Sequence, residues 1–344
     1  MEGSQRKRAD PWRFPETLAL MLTEGQHRNF QQFLAEHPGC WRVVHDFDAD
    51  GISSAALWAL RQPGELQVVA SRQAWPELGP AELVVVLDLA CPHGGFPWTS
   101  STLVIDHHAI PERLPANVMV INPRAYSTGN GPVPCTALLV AELTDPPPER
   151  RWIAAVGALS DLGDQAPFAL LQEQVRLHGR RVLRQVSGLV NAPHRARAQP
   201  EVAVQALLEE RTPKQFLRST SNSLAYLRDC QERVQARVRQ AQRQAATVYG
   251  PVALLELESD CNVQSILAQS WKNRLPGHWV VVANLHGGRV HISARCRADQ
   301  ELLSPLQSLG LPVQGHPSSA GAVISLERWQ AFKEQLRATH PHQR

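Results

Sequence analysis

Four short apolar runs that do not alternate set the strongest limit on the fold: RVVH at 42–45, LVVVL at 83–87, TLVI at 102–105 and VMVI at 118–121. A strand with one wet face alternates polar and apolar residues, so unbroken runs of Val, Ile and Leu belong to strands covered on both faces of a parallel sheet. Three of the runs stop at an acid, Asp46, Asp88 or Asp106. Open α/β sheets place their ligands at such strand ends. A fifth run, LQVVA at 66–70, and helical patterns over 15–37, from Gly51 through ISSAALWALR, and near 136–143 and 150–161 complete a doubly wound, mostly parallel α/β domain. The stretch Asp145-Pro-Pro-Pro-Glu149 reads as a loop inside it.

Beyond Pro193 the pattern changes. Leu224, Leu227, Val234, Val238, Ala241 and Ala245 recur at helical spacing with Arg228, Arg233, Arg237 and Arg243 between them, which predicts a connecting helix with one apolar stripe. After Gly250 strand-like segments return at VALLELE, HWVVVANL and RVHISARC, interleaved with helical stretches near 262–274 and 326–338. The expected architecture is a catalytic-type α/β domain over 1–195, a basic helical connector over 196–249 and a smaller α/β domain over 250–344.

Composition removes other classes. With 344 residues, 43% hydrophobic and 19% charged, the chain is long enough for two packed domains and too apolar for disorder. No apolar run approaches the ~20 residues of a membrane span. No apolar core follows the basic MEGSQRKRAD start, so it does not read as a secretory signal, and a cytoplasmic protein is expected. The six cysteines lie far apart without a Cys-x-x-Cys pair, which argues against a zinc site or a disulfide framework and for reduced, mostly buried thiols.

The net charge of +3 averages two regions of opposite sign. Trp41 to Leu170 holds seven Arg and no Lys against fourteen acids, whereas Arg176 to Ala246 holds thirteen Arg and one Lys against five acids. Carboxylates that gather cations beside a surface that tracks a polyanion would account for this, and so would solvated helix faces.

Asp46, Asp48 and Asp50 alternate at the end of the first strand, and side chains two apart share a strand face. Three crowded carboxylates repel unless cations compensate them, so a divalent metal is the natural occupant. A calcium loop would need a Glu where the chain has Leu57. Asp88, the Asp106-His107-His108 triplet and Asp161 in GALSDLGD add carboxylates and imidazoles, a donor mix suited to Mn²⁺. Two such ions about 3.5–4 Å apart would activate a water and stabilise a leaving oxygen in phosphoester displacement.

In that order, HDFDADGISSAAL, VVVLDLA, VIDHHAI and GALSDLGD resemble the four motifs of the DHH phosphoesterase superfamily, and HISAR (291–295) with QGHPSSAG (314–321) resembles the phosphate-binding strand and glycine turn of its associated C-terminal domain. The first motif is most similar to RecJ-like single-strand exonucleases. The resemblance implies that Asp48, Asp50, Asp88, His107 and Asp161 hold two Mn²⁺ ions, with Mg²⁺ or Co²⁺ as substitutes and Asp46 as a further ligand or supporting partner. It implies that His108 faces the scissile phosphate beside Asp48 and Asp88, that Arg295 and His316 bind substrate phosphates, and that Ser293 and Gly315 shape that pocket. The active site is then expected in the cleft between the domains.

Some positions depart from the pattern. Val44 stands where many relatives carry His, and His45, on the other strand face, reads as a core residue; Gln314 replaces the first glycine of the turn. Asp164 reads as a surface or capping residue, and Thr136 as a helix cap, with a substrate contact as the alternative. Trp98, Tyr126 and Trp271 are candidate base-stacking residues. The leading functional expectation is a nuclease acting from an end of single-stranded DNA or RNA. The alternative is a small-nucleotide phosphoesterase such as a nanoRNase, a 3′-phosphoadenosine 5′-phosphate phosphatase or a cyclic-dinucleotide phosphodiesterase. A non-catalytic nucleic-acid scaffold is disfavoured, because nothing in such a role keeps like charges crowded together. The expected partners are single-stranded nucleic acid or short oligonucleotides, with no membrane, and a homodimer is left open.

Overall fold

The computed structural model describes residues 21–61, 65–68, 75–79, 81–92, 95–110, 112–125 and 131–340. The basic N-terminal stretch, the beginning of the helix expected over 15–37, Val69, Ala70 and Tyr126 lie outside the described residues. The chain divides into two compact units, Met1–Asp46 with Ser53–Leu183, and Phe47–Ile52 with Arg184–Arg344.

The first unit is built on helices α1 (Glu24–Ala35) and α2 (Ala49–Arg61), strands β1 (Trp41–His45), β2 (Glu65–Val68), β3 (Leu83–Leu87), β4 (Ser101–Ile105) and β5 (Val118–Ile121), then α3 (Thr136–Thr144), α4 (Trp152–Asp161) and α5 (Ala169–His178). The sheet runs β2-β1-β3-β4-β5 and every pair is parallel. All five residues of β3 are buried, as unbroken apolar runs require, and α3 and α4 are buried along nearly their whole length.

Helix α1 begins at Glu24, later than its apolar pattern suggests. Thr23 Oγ1 accepts the Gln26 N–H while Gln26 Oε1 accepts the Thr23 N–H, a reciprocal cap that starts the helix there. The main-chain N–H groups of Met21 and Leu22 instead donate to the Glu142 carboxylate of α3, both at 3.0 Å.

One sheet face is closed by side chains from connecting segments. Val44, Val84, Val86 and Val104, with Val118 of β5 beside them, pack under Trp75, Leu78, Phe96 and Trp98. Trp98 stacks on Phe96 at 5.3 Å and donates to Pro76 O, so it helps to cover the core.

Helix α6 (Arg180–Val190) leads into the second unit, which continues through α7 (Ala192–Arg195), α8 (Glu201–Glu209), α9 (Pro213–Arg218), α10 (Asn222–Ala241), β6 (Thr247–Tyr249), β7 (Val252–Glu258), α11 (Gln264–Arg274), β8 (Trp279–His286), β9 (Arg289–Arg295), α12 (Leu303–Ser308), β10 (Gln314–His316), β11 (Ser319–Ser325) and α13 (Leu326–Thr339). Its sheet runs β10-β11-β9-β8-β7-β6, parallel only between β7 and β8, which α11 connects. One face buries Val281, Ala283, Ile292 and Ala294 under α12 and α13, with Trp329, Phe332 and Leu336 from the latter. The other buries Val280 and Val282 under α10 and α11, with Trp271 packed against that layer. Between β8 and β9 the chain reverses through Gly287 (φ 58°) and Gly288 (φ 72°), the two left-handed residues that a tight hairpin matching strand twist demands.

The structure therefore has the expected class, a parallel α/β unit followed by a smaller mixed α/β unit. Among the described residues no helix is long and apolar enough to cross a membrane. All six cysteines are free thiols, five buried and Cys40 exposed.

Candidate metal centre and phosphate-binding strands

In the first unit the parallel register delivers three acids to one row. Asp46, Asp88 and Asp106 each follow the last residue of β1, β3 and β4, and the N–H of each donates to the next strand: Asp46 to Leu87 O, Asp88 to Ile105 O and Asp106 to Ile121 O, at 3.0–3.1 Å. All three carboxylates are buried. Asn122 occupies the equivalent place after β5 and is also buried.

The imidazole of His107 stands between two carboxylates, with Nε2 3.4 Å from Asp88 Oδ1 and 3.8 Å from Asp161 Oδ2. Burial pushes the His107 pKa below its ordinary value, while the Asp161 charge pulls it upward. Asp88, His107 and His108 each offer a ligand atom, all within 4.8 Å of one another. Asp106 is turned toward the neighbouring histidine, where Oδ1 accepts from His108 Nδ1 at 2.7 Å and Oδ2 accepts the His108 N–H at 3.1 Å. Donating to a carboxylate requires that Nδ1 carry a proton, which fixes the orientation of the His108 ring.

Thr136 corrects the sequence expectation. It is the first residue of α3, whose N-cap position is held by Cys135 without a side-chain bond, and its Oγ1 donates to Asp88 Oδ1 at 2.9 Å. Asp164 pairs with Arg180 at 2.6 Å. His45 is fully buried with Nδ1 against Asp46 O at 2.7 Å, in keeping with a core residue.

Asp48 and Asp50 are not on the strand, so alternation along β1 does not describe them. Asp48 precedes α2 and its Oδ1 accepts the N–H groups of Asp50 (2.9 Å) and Gly51 (3.2 Å), capping the helix; Asp50 is buried in the first turn. Within the second unit this 47–52 segment is gripped by the α6–α7 region. Asn191 Oδ1 accepts the Ala49 N–H at 3.0 Å and the Phe47 ring stacks on His194 at 4.1 Å. Burial lowers the Arg195 pKa, and the nearby Asp48 charge acts against that shift.

The second unit holds the remaining expected residues in alternate rows on either side of the Gly315, Ala320 and Ala294 row. His316, Ser319 and Arg295 are register partners across β10, β11 and β9, as are Gln314, Gly321 and Ser293. Arg295 Nη1 donates to Ser293 Oγ at 3.1 Å and to Ala294 O at 2.9 Å, which anchors the guanidinium over the strand. His316 is exposed. Gly315 has φ 140°, and a Cβ there would collide with Ser319 O, so the hairpin needs glycine at that point.

No family model matches the sequence, and no curated protein is similar to it. Solved structures do match. RecJ from Thermus thermophilus in complex with Mn²⁺ superposes with a TM-score of 0.69 at 22% identity, over 94% of this chain and 56% of that one. The chain has the RecJ fold. A second structure, exonuclease RecJ bound to manganese, gives a TM-score of 0.65 at 21% identity and is covered over 96% of its length by 93% of this chain. Thus the RecJ-like fold here spans about half of the Thermus protein and nearly all of the second. A pGpG-specific phosphodiesterase from Vibrio cholerae matches with a TM-score of 0.51 at 16% identity, over 87% of this chain and 98% of that one.

Proposed function

We propose that this chain is a divalent-metal-dependent phosphodiesterase of the DHH type that hydrolyses single-stranded nucleic acid from an end. The observation that carries the reading is the position of His107, flanked by Asp88 and Asp161 at the ends of buried elements. The donor set fits the group: buried carboxylate oxygens with an imidazole suit Mn²⁺ or Mg²⁺ and lack the thiolates that select softer ions. In this reading Asp46, Asp48, Asp50, Asp88, His107 and Asp161 hold two Mn²⁺ ions.

Bound there, the metals would supply a nucleophilic hydroxide and neutralise charge on the phosphate. The chain's own residues do the rest. Asp106 holds the His108 ring so that it meets the scissile phosphate in one orientation, donating a hydrogen bond or a proton to the leaving oxygen. Thr136 keeps one oxygen of Asp88 in place. Arg295, aligned by Ser293, and His316 bind a substrate phosphate beside the Gly315 hairpin.

A second reading, a phosphodiesterase of short or cyclic nucleotides, is favoured by the arginines of α10. Arg228 donates to Ser219 O and Leu217 O, Arg233 to Ala196 O, and Arg237 pairs with Asp260, so three of these cations are engaged by the protein itself. A long strand needs many cations along its path, and its binding weakens steeply with salt. Rates on 5′-labelled single strands of about thirty nucleotides, on dinucleotides and on cyclic dinucleotides, each at low and high salt, separate the readings. Progressive shortening of the long strand with a steep salt dependence supports the nuclease. Turnover confined to short or cyclic substrates replaces it with the second reading.

A further inference from the structure

The two histidines of the 106–108 triplet are held by their main chain as well as by their rings. Asn122, buried after β5, donates from Nδ2 to the carbonyl of His108 at 2.9 Å and accepts the Arg124 N–H on Oδ1 at 3.0 Å. Arg124 in turn donates from Nε to the carbonyl of His107 at 2.7 Å. The carbonyls of two successive residues are thereby pinned by two side chains from one short segment, and the Asn122 amide uses both of its ends. Nothing in the triplet's own sequence accounts for this arrangement.

We propose that Asn122 and Arg124 are positioning residues that set the His107 and His108 rings through their backbone carbonyls. The inference rests on the metal-centre reading above. Fixing a carbonyl fixes the peptide plane, and with it the direction in which the side chain leaves the chain. Residues that orient metal ligands in this way typically contribute about 10–100-fold to metal affinity. Asn122 acts directly on His108 and, by holding Arg124, indirectly on His107.

Two features separate positioning from other roles. Arg124 is exposed, so its replacement leaves the core intact. It is also a cation beside the site, and removing it by electrostatics alone would tighten binding of a metal cation. Loss of its bond to His107 would weaken that binding, so the two effects have opposite signs. A residue that touched only substrate would leave metal affinity in the absence of substrate unchanged.

The experiment is a calorimetric titration of metal-stripped full-length protein with Mn²⁺, without substrate, for the wild type, Asp88→Ala, Arg124→Met, Arg124→Lys and Asn122→Asp. Wild type binds, Asp88→Ala loses binding, and Arg124→Met and Asn122→Asp bind about tenfold or more weakly, with Arg124→Lys partly restored. Asn122→Asp keeps the acceptor for the Arg124 N–H, removes the donor to His108 and adds a negative charge that by itself would tighten metal binding, so weaker binding there reports the lost bond; should it fail to fold, Arg124→Met decides alone. Unchanged or tighter Mn²⁺ binding by Arg124→Met overturns the inference while leaving the metal centre standing. A wild type that binds no Mn²⁺ removes both.

Discussion

Thr136 Oγ1 donates a hydrogen bond of 2.9 Å to Oδ1 of Asp88, joining the first turn of α3 to a residue 48 positions earlier in the chain. The acceptor stands in the left-handed region at φ 62°, an unusual place for a non-glycine residue and one that the surrounding structure must enforce. The same Asp88 oxygen lies 3.4 Å from His107 Nε2. A hydroxyl that a sequence offers as a helix cap is instead spent on a carboxylate.

Replacing Thr136 by Val preserves shape and deletes that donor. A buried hydrogen bond to a charged group contributes about 1.5–3 kcal/mol, so Thr136→Val lowers the denaturant midpoint correspondingly and weakens Mn²⁺ binding, whereas Thr136→Ser retains both. Equilibrium unfolding in chelator and metal titration of the two variants check this. Equal behaviour of Val and Ser would remove the hydroxyl from the account.

At the second unit the expected effects fall on substrate and spare metal. Arg295→Ala raises KM with little change in Mn²⁺ affinity. Gly315→Ala does the same by a different route, because its Cβ meets Ser319 O and must displace the hairpin that presents His316. Steady-state kinetics across a substrate range, paired with metal titration, tell these apart from Asp88→Ala, which abolishes turnover. Loss of kcat without a change in KM in Arg295→Ala would contradict the assignment.

Stability should depend on pH through His291. Burial, together with the electrostatic influence of Arg197, His286 and Arg289, pushes its pKa from 6.5 to about 4. Above pH 6.5 the ring is neutral in both folded and unfolded chains. Between pH 6.5 and about 4 the unfolded chain binds a proton that the folded chain refuses, so stability falls as pH is lowered through that window and the loss is complete below it. Melting temperatures measured from pH 7 to 4 should decline less steeply in His291→Gln. Parallel profiles for the two proteins would contradict the prediction.

The strand ends were legible in the sequence because an acid that closes a short unbroken run rich in Val and Ile reads as a residue leaving a buried strand. That logic places Asp46, Asp88 and Asp106 in one row, and the same signal was present in VMVIN, where Asn122 closes the run. It fails at Asp48 and Asp50. A carboxylate that ends a strand and one that caps a helix look alike in sequence, and the chain turns between them at Phe47 and Asp48, where the Asp48 cap starts α2. Thr136 was missed because its partner is distant in sequence. Trp98 also packs over the sheet face with Phe96, a use of aromatics in loops that looks the same in sequence as a base platform. The arginines of α10 were read as a charged surface, yet Arg228 and Arg233 satisfy main-chain carbonyls, a use that composition cannot show.

The proposed activity, metal-dependent phosphodiester hydrolysis, depends on the buried carboxylates and His107. The most direct test strips the purified protein with chelator, adds back Mn²⁺, and follows release of nucleotide from a 5′-phosphorylated single-stranded oligonucleotide by wild type and by Asp88→Ala. Hydrolysis that appears only with metal and only in the wild type is the result expected. Hydrolysis by the wild type without metal, equal hydrolysis by Asp88→Ala, or no hydrolysis of this strand or of any short or cyclic nucleotide would contradict the account.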